Sequence, residues 1–376
     1  MKEQFRQIAT SIRNPHVEAW KDAGKPVVGF PCTFLPEEVI AAAGILPFRF
    51  RAVGISSLTI GDTYYGPVIC SFPKCVLQLA GEGVYSFLDG AVITPGCDSM
   101  RRLDECWRKA GEDIPGITPS FFHYFGVPHK ATEYSLSWFV EEIRELIRSL
   151  EAHFGVTITS DDLSQAISEY NTTRRLLMRL DELRSADTPI SGEDALNLTV
   201  AGSAMPRAEY NRMLEEYISE LENAPSIQNG RKRLLLAGSI NDDPEFVHVI
   251  EECGALVVGD SMCFGARSYA RLVDEDKEPV QALAGHYLNQ SLCPRMFGYY
   301  KKRLDFLISR ARAVRADGVI LQNIRFCDIH GSENGIFSRD LSAAGIPNVR
   351  MEREYGPLVE SGRIRMRVDA FVECLE

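Results

Sequence analysis

The chain has no long apolar run. No stretch approaches the roughly 18 consecutive apolar residues of a membrane-spanning helix, and Met1 to Pro15 holds no apolar core of signal-peptide length. The expectation is a cytoplasmic protein with no membrane partner. Basic residues are not in excess either: 41 Lys and Arg stand against 52 Asp and Glu, a formal charge of -11. Nucleic-acid surfaces need clustered cations to neutralise phosphates, so no nucleic-acid partner is expected. A phosphate-cradling G-x-x-x-x-G-K-[ST] loop is missing, and the nearest pair, Gly24 and Lys25, precedes Pro26 and reads as a turn before a strand. That argues against ATP hydrolysis by this chain. The compact C-x-x-C spacings of ferredoxins and zinc knuckles are also lacking.

What is present is a high cysteine count. Ten cysteines are many for a reducing compartment, where structural disulfides are rare and retained thiols more often bind metal or react. The hydrophobic fraction of 45% and the charged fraction of 25% are those of a folded protein. At 376 residues two compact units, each with its own core, are expected.

From Lys25 short apolar runs alternate with helical patterns: KPVVGF, PEEVIAAAG, ILPFRF, FLDGAVITP, then DSMRRLDECWRKAG. A second run of the same kind starts at Lys232 with RLLLAGS, continues through ALVVGD and RADGVILQN, and includes a helix from about Glu333 before IPNVRME. This rhythm predicts α/β architecture, with helices wrapped on parallel sheets. Between the runs lie long amphipathic patterns such as SLSWFVEEIRELIRSLEAHF, with apolar residues spaced three and four apart. The expected organisation is an N-terminal helical segment (1–24), a first α/β domain (25–134), a helical connector (135–229) and a second α/β domain (230–376). Each sheet domain is expected to be Rossmann- or flavodoxin-like.

In open α/β sheets the functional crevice lies beyond the carboxyl ends of the strands. Cys32, Cys97, Cys263 and Cys327 each sit in a loop just past a predicted strand, and Cys70 opens the predicted helix CSFPKCVLQLA. Thiolates are favoured where backbone N–H groups and a helix N-terminus face them, and iron-sulfur clusters are bound through thiolates. On spacing alone, metal ligation and simple burial of a small apolar side chain stand equally open. Cys253, Cys374, Cys106 and Cys293 read as packing residues. Cys75, five residues after Cys70, falls about 140° around the helix and leans the same way.

The segments ICSFPKC, LDGAVITPGCDSMRRLDECW and ADGVILQNIRFCD resemble, in order and interval, the three cysteine motifs of the 2-hydroxyacyl-CoA dehydratase and benzoyl-CoA reductase family. The resemblance extends to PCTFLPEEVIAAAGILPFRF, GDSMCFGARSY and DLSAAGIPNVRMEREYG. It implies that Cys70, Cys97 and Cys327 hold a [4Fe-4S] cluster with one iron open to a small ligand or substrate. FCDIHGSENGIFSRDL and REYGPLVESGRIRMRVDAF look closest to the smaller cluster-bearing subunit of benzoyl-CoA reductase. CTFLPEE and GDSMC also resemble relatives carrying a double-cubane [8Fe-9S] cluster, which would add Cys32 and Cys263. In those relatives a further ligand is a cysteine followed by proline; where it is sought this chain reads GVYSFLDG, so Cys75 would have to substitute.

The resemblance implies an enzyme subunit that acts on an acyl-CoA beside a homologous cluster-bearing subunit, as heterodimer or homodimer, with electrons injected by a separate ATP-hydrolysing [4Fe-4S] activator. The leading expectation is low-potential reduction of benzoyl-CoA to cyclohexadienoyl-CoA. The alternatives are a 2-hydroxyacyl-CoA dehydratase subunit, eliminating water through a ketyl radical, a double-cubane reductase, and a scaffold or electron-storage subunit without catalysis. His330, Glu333 and Asp328 are candidates for proton transfer. Arg363, Arg365 and Arg367 are either CoA-phosphate contacts or a solvated helix face. Pro36, Glu37 and Glu38 read as a helix start.

Overall fold

The computed structural model describes residues 1–186, 190–225, 230–289, 292–356 and 361–375. Two short helices, α1 (Lys2–Thr10) and α2 (Pro15–Asp22), lead in; the Asn14 side chain caps α2 by accepting from the His16 and Val17 N–H groups. The first sheet unit follows as β1 (Val27–Phe30), α3 (Glu37–Ala42), β2 (Leu46–Arg49), α4 (Thr59–Tyr64), α5 (Ser71–Gly81), β3 (Gly90–Ile93), α6 (Asp98–Asp113) and β4 (Phe121–Tyr124). Four helices come next: α7 (Glu133–Phe154), α8 (Ser160–Ser185), α9 (Gly192–Ala201) and α10 (Arg207–Glu222). The second sheet unit is β5 (Lys232–Gly238), α11 (Pro244–Glu252), β6 (Ala255–Ser261), α12 (Ala266–Tyr269), α13 (Pro279–Asn289), α14 (Tyr300–Ala313), β7 (Gly318–Ile324), α15 (Asp328–Ala343), β8 (Asn348–Arg353) and α16 (Ser361–Glu373).

Both sheets are wholly parallel, in the orders β2-β1-β3-β4 and β6-β5-β7-β8. The α/β architecture is as expected, and the two units share one topology. Strands β1, β2 and β3 are buried along their whole length, as their continuous apolar runs require when helices cover both faces. In each sheet the chain reverses its direction of travel between the two central strands, β1 and β3 or β5 and β7, which opens a crevice at their carboxyl ends.

Helix α5 is buried from Ser71 to Ala80, because SFPKCVLQLA is apolar on nearly every side and has no face for water. The helices α7 to α10 are not a free-standing connector. Helix α8 lies against α3, α10 and β6, and α13 returns to pack on α7 and α8. A buried ion pair fixes this joint: Arg174 on α8 donates to Glu38 on α3 at 2.6 Å, and Tyr287 on α13 donates to the same carboxylate at 2.7 Å. Glu38 is therefore more than a helix-start residue, since its carboxylate, fully removed from water, would be untenable without these partners. The expected connector boundary at 229 lies outside the described residues.

Gly238 ends β5 at φ +131°, and a Cβ there would sit 1.7 Å from the Gln322 carbonyl oxygen on β7. Only glycine lets the strand turn that tightly into Ser239. The helix expected from about Glu333 starts five residues earlier, at Asp328. Glycine and serine in DIHGSENG weaken its helical signature, but the turn is set by Cys327 at the N-cap and by Phe326, which adopts a left-handed φ of +62°.

Candidate functional site

Three cysteines occupy the same local position in three different helices. Cys70 is the N-cap residue of α5, Cys97 of α6 and Cys327 of α15. At each, the freed N–H groups of a helix start and the positive end of its dipole face the sulfur. The Phe72 N–H is directed at Cys70, the Met100 N–H at Cys97 and the His330 N–H at Cys327. Two hydroxyls add to these donors, Ser99 on Cys70 and Ser239 on Cys327. The Ser239 hydroxyl also accepts the Ile324 N–H at 3.1 Å, which orients it.

The three sulfurs converge closely enough for their charges to act on one another: Cys327 acts on Cys70, and both act on Cys97. Burial, first, and this mutual repulsion push the Cys70 thiol up to about 12. Cys97 is raised well above the ordinary thiol value by burial and then by Cys70, and Cys327 is raised by burial with Asp328 adding to it. Buried thiols ringed by N–H and O–H donors suit a bound cation that keeps them deprotonated.

A second group stands beside the first. A Cβ on Gly96 would lie 2.6 Å from Cys32 Sγ, so this sulfur rests against the backbone next to Cys97. Arg295, two residues after Cys293, reaches into the same loop and donates to the Pro95 carbonyl at 2.7 Å. Cys263 and Cys293 line one cavity. The charges of Cys32, Cys263 and Cys293 act on one another, and the Phe34 and Arg295 N–H groups are directed at Cys32 and Cys293. Burial pushes the Cys293 thiol up to about 11. In the sequence alone Cys293 reads as a packing residue. Its signal is the following Pro294 in the loop between α13 and α14, the cysteine-proline pair sought elsewhere in the chain.

The remaining thiols behave differently. Cys75, near enough to Cys70 to feel its charge, donates to the Tyr355 carbonyl at 3.8 Å. Cys106 donates to the Tyr64 carbonyl at 3.4 Å, and Cys253 to the Val249 carbonyl at 3.3 Å. Cys374 is exposed. These buried or half-buried cysteines give a proton to a carbonyl, whereas five of the six in the two groups receive one from an amide, and that polarity separates them.

Of the acid–base candidates, Glu333 is engaged by Arg303 in a two-pronged ion pair. His330 is buried, and burial together with Arg267 and Arg303 holds it well below the ordinary histidine range, as a neutral imidazole. Asp328 lies at the start of α15, near Cys70 and Cys327. On α16, Arg365 pairs with Glu252 at 2.5 Å and Arg367 donates to the Arg350 carbonyl at 2.9 Å, a helix face packed on its own domain. Arg363 donates to the Glu352 carbonyl at 3.0 Å.

Among the described residues, no three His, Cys, Asp or Glu side chains close on a single metal ion. The donor set of thiols at helix starts, with amide and hydroxyl hydrogen bonds to sulfur, is one that [4Fe-4S] binding uses. No helix among the described residues is long and apolar enough to cross a membrane.

The 2-hydroxyglutaryl-CoA dehydratase, D-component, family profile matches residues 32–375. The chain is 26% identical over 377 residues to the (R)-phenyllactyl-CoA dehydratase beta subunit of Clostridium sporogenes, covering 99% of this chain and 97% of that one. It is 28% identical over 319 residues to a benzoyl-CoA reductase subunit of Thauera aromatica (82% and 81%), and 22% identical over 375 residues to the lactoyl-CoA dehydratase subunit beta of Anaerotignum propionicum (99% and 98%). The family match runs almost from end to end and takes in every cysteine of both groups, and the chain belongs to the 2-hydroxyglutaryl-CoA dehydratase D-component family.

Proposed function

We propose that this chain is the iron-sulfur subunit of a reductase of aromatic acyl-CoA, holding a [4Fe-4S] cluster through Cys70, Cys97 and Cys327. It works beside a homologous subunit and takes electrons from a separate ATP-hydrolysing activator. The observation that carries this reading is the convergence of three N-cap thiols from two sheet domains, each with an amide hydrogen bond to sulfur. A cluster bound there supplies single electrons at low potential. The names of two relatives support an aromatic acyl group, one a phenyllactyl-CoA dehydratase subunit and one a benzoyl-CoA reductase subunit.

The protein's part is electrostatic and steric. The amide and hydroxyl donors stabilise negative charge on the sulfurs, and the Ser99 and Ser239 hydroxyls tune how much. Phe72 and Met100, whose N–H groups face Cys70 and Cys97, have buried side chains that anchor those helix starts in the core. Glu333 is committed to Arg303 and His330 stays neutral, so proton exchange with solvent falls to Asp328.

The test is turnover of benzoyl-CoA and of phenyllactyl-CoA by the anaerobic complex with its activator. Reduction consuming ATP in step with product supports the proposal; dehydration with only catalytic ATP assigns the chain to the dehydratases. The convergence of Cys32, Cys263 and Cys293 beside the first group favours a second reading, a double-cubane cluster on six thiolates. Iron and acid-labile sulfide separate the two, at about four of each per chain for one cubane and about eight for two.

A further inference from the structure

A cavity of about 100 Å³ lies where α8, α12, α13 and the end of β2 meet, with Arg49, Arg267, Thr33, Ser203, Cys263 and Cys293 on its wall. The carboxylate on its wall is already matched, Glu37 pairing with Arg207 at 2.9 Å, and the wall residue Arg174 is matched by Glu38 behind it at 2.6 Å. Two guanidinium groups are left over. Arg49 is 4% exposed and lies flat against Phe264, 3.6 Å from the ring centre. It donates through Nη1 to the Cys263 carbonyl at 2.8 Å, while its Nε has no acceptor among the described residues. Arg267 donates through Nη2 to the Gly238 carbonyl at 2.9 Å, and its Nε likewise lacks an acceptor. Neither has a carboxylate partner among the described residues.

Carbonyl oxygens solvate a guanidinium but do not cancel its charge, and Arg49, buried, and Arg267, half-buried, hold two cations on one cavity wall with the charge of Glu37, itself paired with Arg207, acting on Arg49. A planar guanidinium is matched best by a two-oxygen anion. We propose that this cavity binds a small oxyanion, a carboxylate or phosphate group, between Arg49 and Arg267, with the Thr33 hydroxyl on the same wall to add a hydrogen bond. The cavity has room for a group of a few heavy atoms between the two arginines. Because Cys263 and Cys293 share the wall, the anion would lie against the second thiol group. The proposal deepens the reading of the cysteine site by placing a small anionic substrate or effector beside it.

Calorimetric titration of cluster-loaded, anaerobic protein at constant ionic strength tests this, with inorganic phosphate in one arm and acetate in the other. The expected result is saturable binding in at least one arm with about one site per chain. Arg267→Gln should weaken it at least tenfold and Arg49→Lys should weaken it less, whereas the exposed control Arg148→Gln should leave it unchanged. The preferred arm identifies the source of the oxyanion. No binding in either arm, or undiminished binding in Arg267→Gln, overturns the proposal. Loss of iron from Arg267→Gln with no anion binding by the parent also overturns it, because the arginines would then serve the thiolates alone. Acyl-CoA turnover is not part of the readout, so failure of the proposed reaction and failure of the anion site remain distinguishable.

Discussion

Stripping the metal should make the protein sensitive to alkali in a way the loaded protein is not. An unfolded thiol titrates near about 8.5, whereas Cys70 in the fold is pushed up to about 12 by burial and then by Cys327. A raised thiol contributes stability that is fully present below the unfolded value and is lost as pH climbs toward the folded one. At pH 10 the unfolded thiol is about 1.5 units past its midpoint while the folded one keeps its proton, so Cys70 alone removes about 2 kcal/mol relative to pH 7. Cys32, Cys97, Cys293 and Cys327 are shifted in the same direction. In loaded protein the ligating thiolates have already given up their protons, and this loss disappears. Urea unfolding of apo and loaded protein under anaerobic, reducing conditions at pH 7, 8, 9 and 10 measures the difference. Buried tyrosines such as Tyr65 and Tyr85 also titrate abnormally, but they are common to both forms and cancel. Apo Cys70→Ala should lose stability more slowly above pH 9, by about 1.4 kcal/mol per unit. Parallel curves for apo and loaded protein, or an unchanged slope in Cys70→Ala, would refute the burial argument.

Four other outcomes are expected. Ser239→Ala removes a hydroxyl from Cys327 and should lower the cluster midpoint potential by roughly 20 to 60 mV, for a hydrogen bond of about 0.5–1.5 kcal/mol in a one-electron couple; redox titration followed by EPR reads it. Arg174→Met strands the buried Glu38 carboxylate and should cost about 3–5 kcal/mol in chemical unfolding, with much of that restored by adding Glu38→Leu. Phe326→Gly relieves a left-handed φ at a residue 43% exposed, so stability should hold or rise by up to about 1 kcal/mol; a clear loss would show that the ring is needed for packing. Cys97→Ser should empty the first group of iron after reconstitution, while Cys75→Ser should leave the iron count unchanged, as measured by colorimetric iron assay.

Much of this architecture is legible in the sequence because parallel strands buried on both faces read as unbroken apolar runs, as in KPVVGF and RLLLAGS. The placement of cysteines past strand ends is legible for the same reason, since each follows such a run. The relation between loops far apart in sequence is not legible. Cys293 lies in a turn between two helices with no strand before it, and the reach of Arg295 to Pro95 joins its loop to the one that carries Cys97. The role of Glu38 is hidden likewise, because its partner Arg174 lies 136 residues away. Glu333 looks like a free acid near the third cysteine motif until Arg303, on α14, is seen to hold it.

The shared topology of the two sheets accounts for where the thiols stand. In the first sheet the residues just beyond the central strands β1 and β3 are Cys32 and Cys97, and in the second, beyond β5 and β7, they are Ser239 and Cys327. Cys97 and Cys327 are counterparts, each the N-cap of the helix that follows its central strand, whereas beyond β5 the chain places Ser239, whose hydroxyl is on Cys327. Cys70 comes from neither pair of strand ends but from the start of α5, tied to the second domain where the Ser71 hydroxyl accepts the Tyr355 N–H at 2.8 Å. A thiol group drawing on both domains can hold metal only while they keep their relative position. Loading should therefore tighten the coupling between them, adding to the ties that Glu38 with Arg174 and Tyr287, and Ser71 with Tyr355, already make without metal. Cys263 and Cys293, supplied by loops outside the matched pairs, are then what makes the second group an addition to the common plan and not a repeat of it.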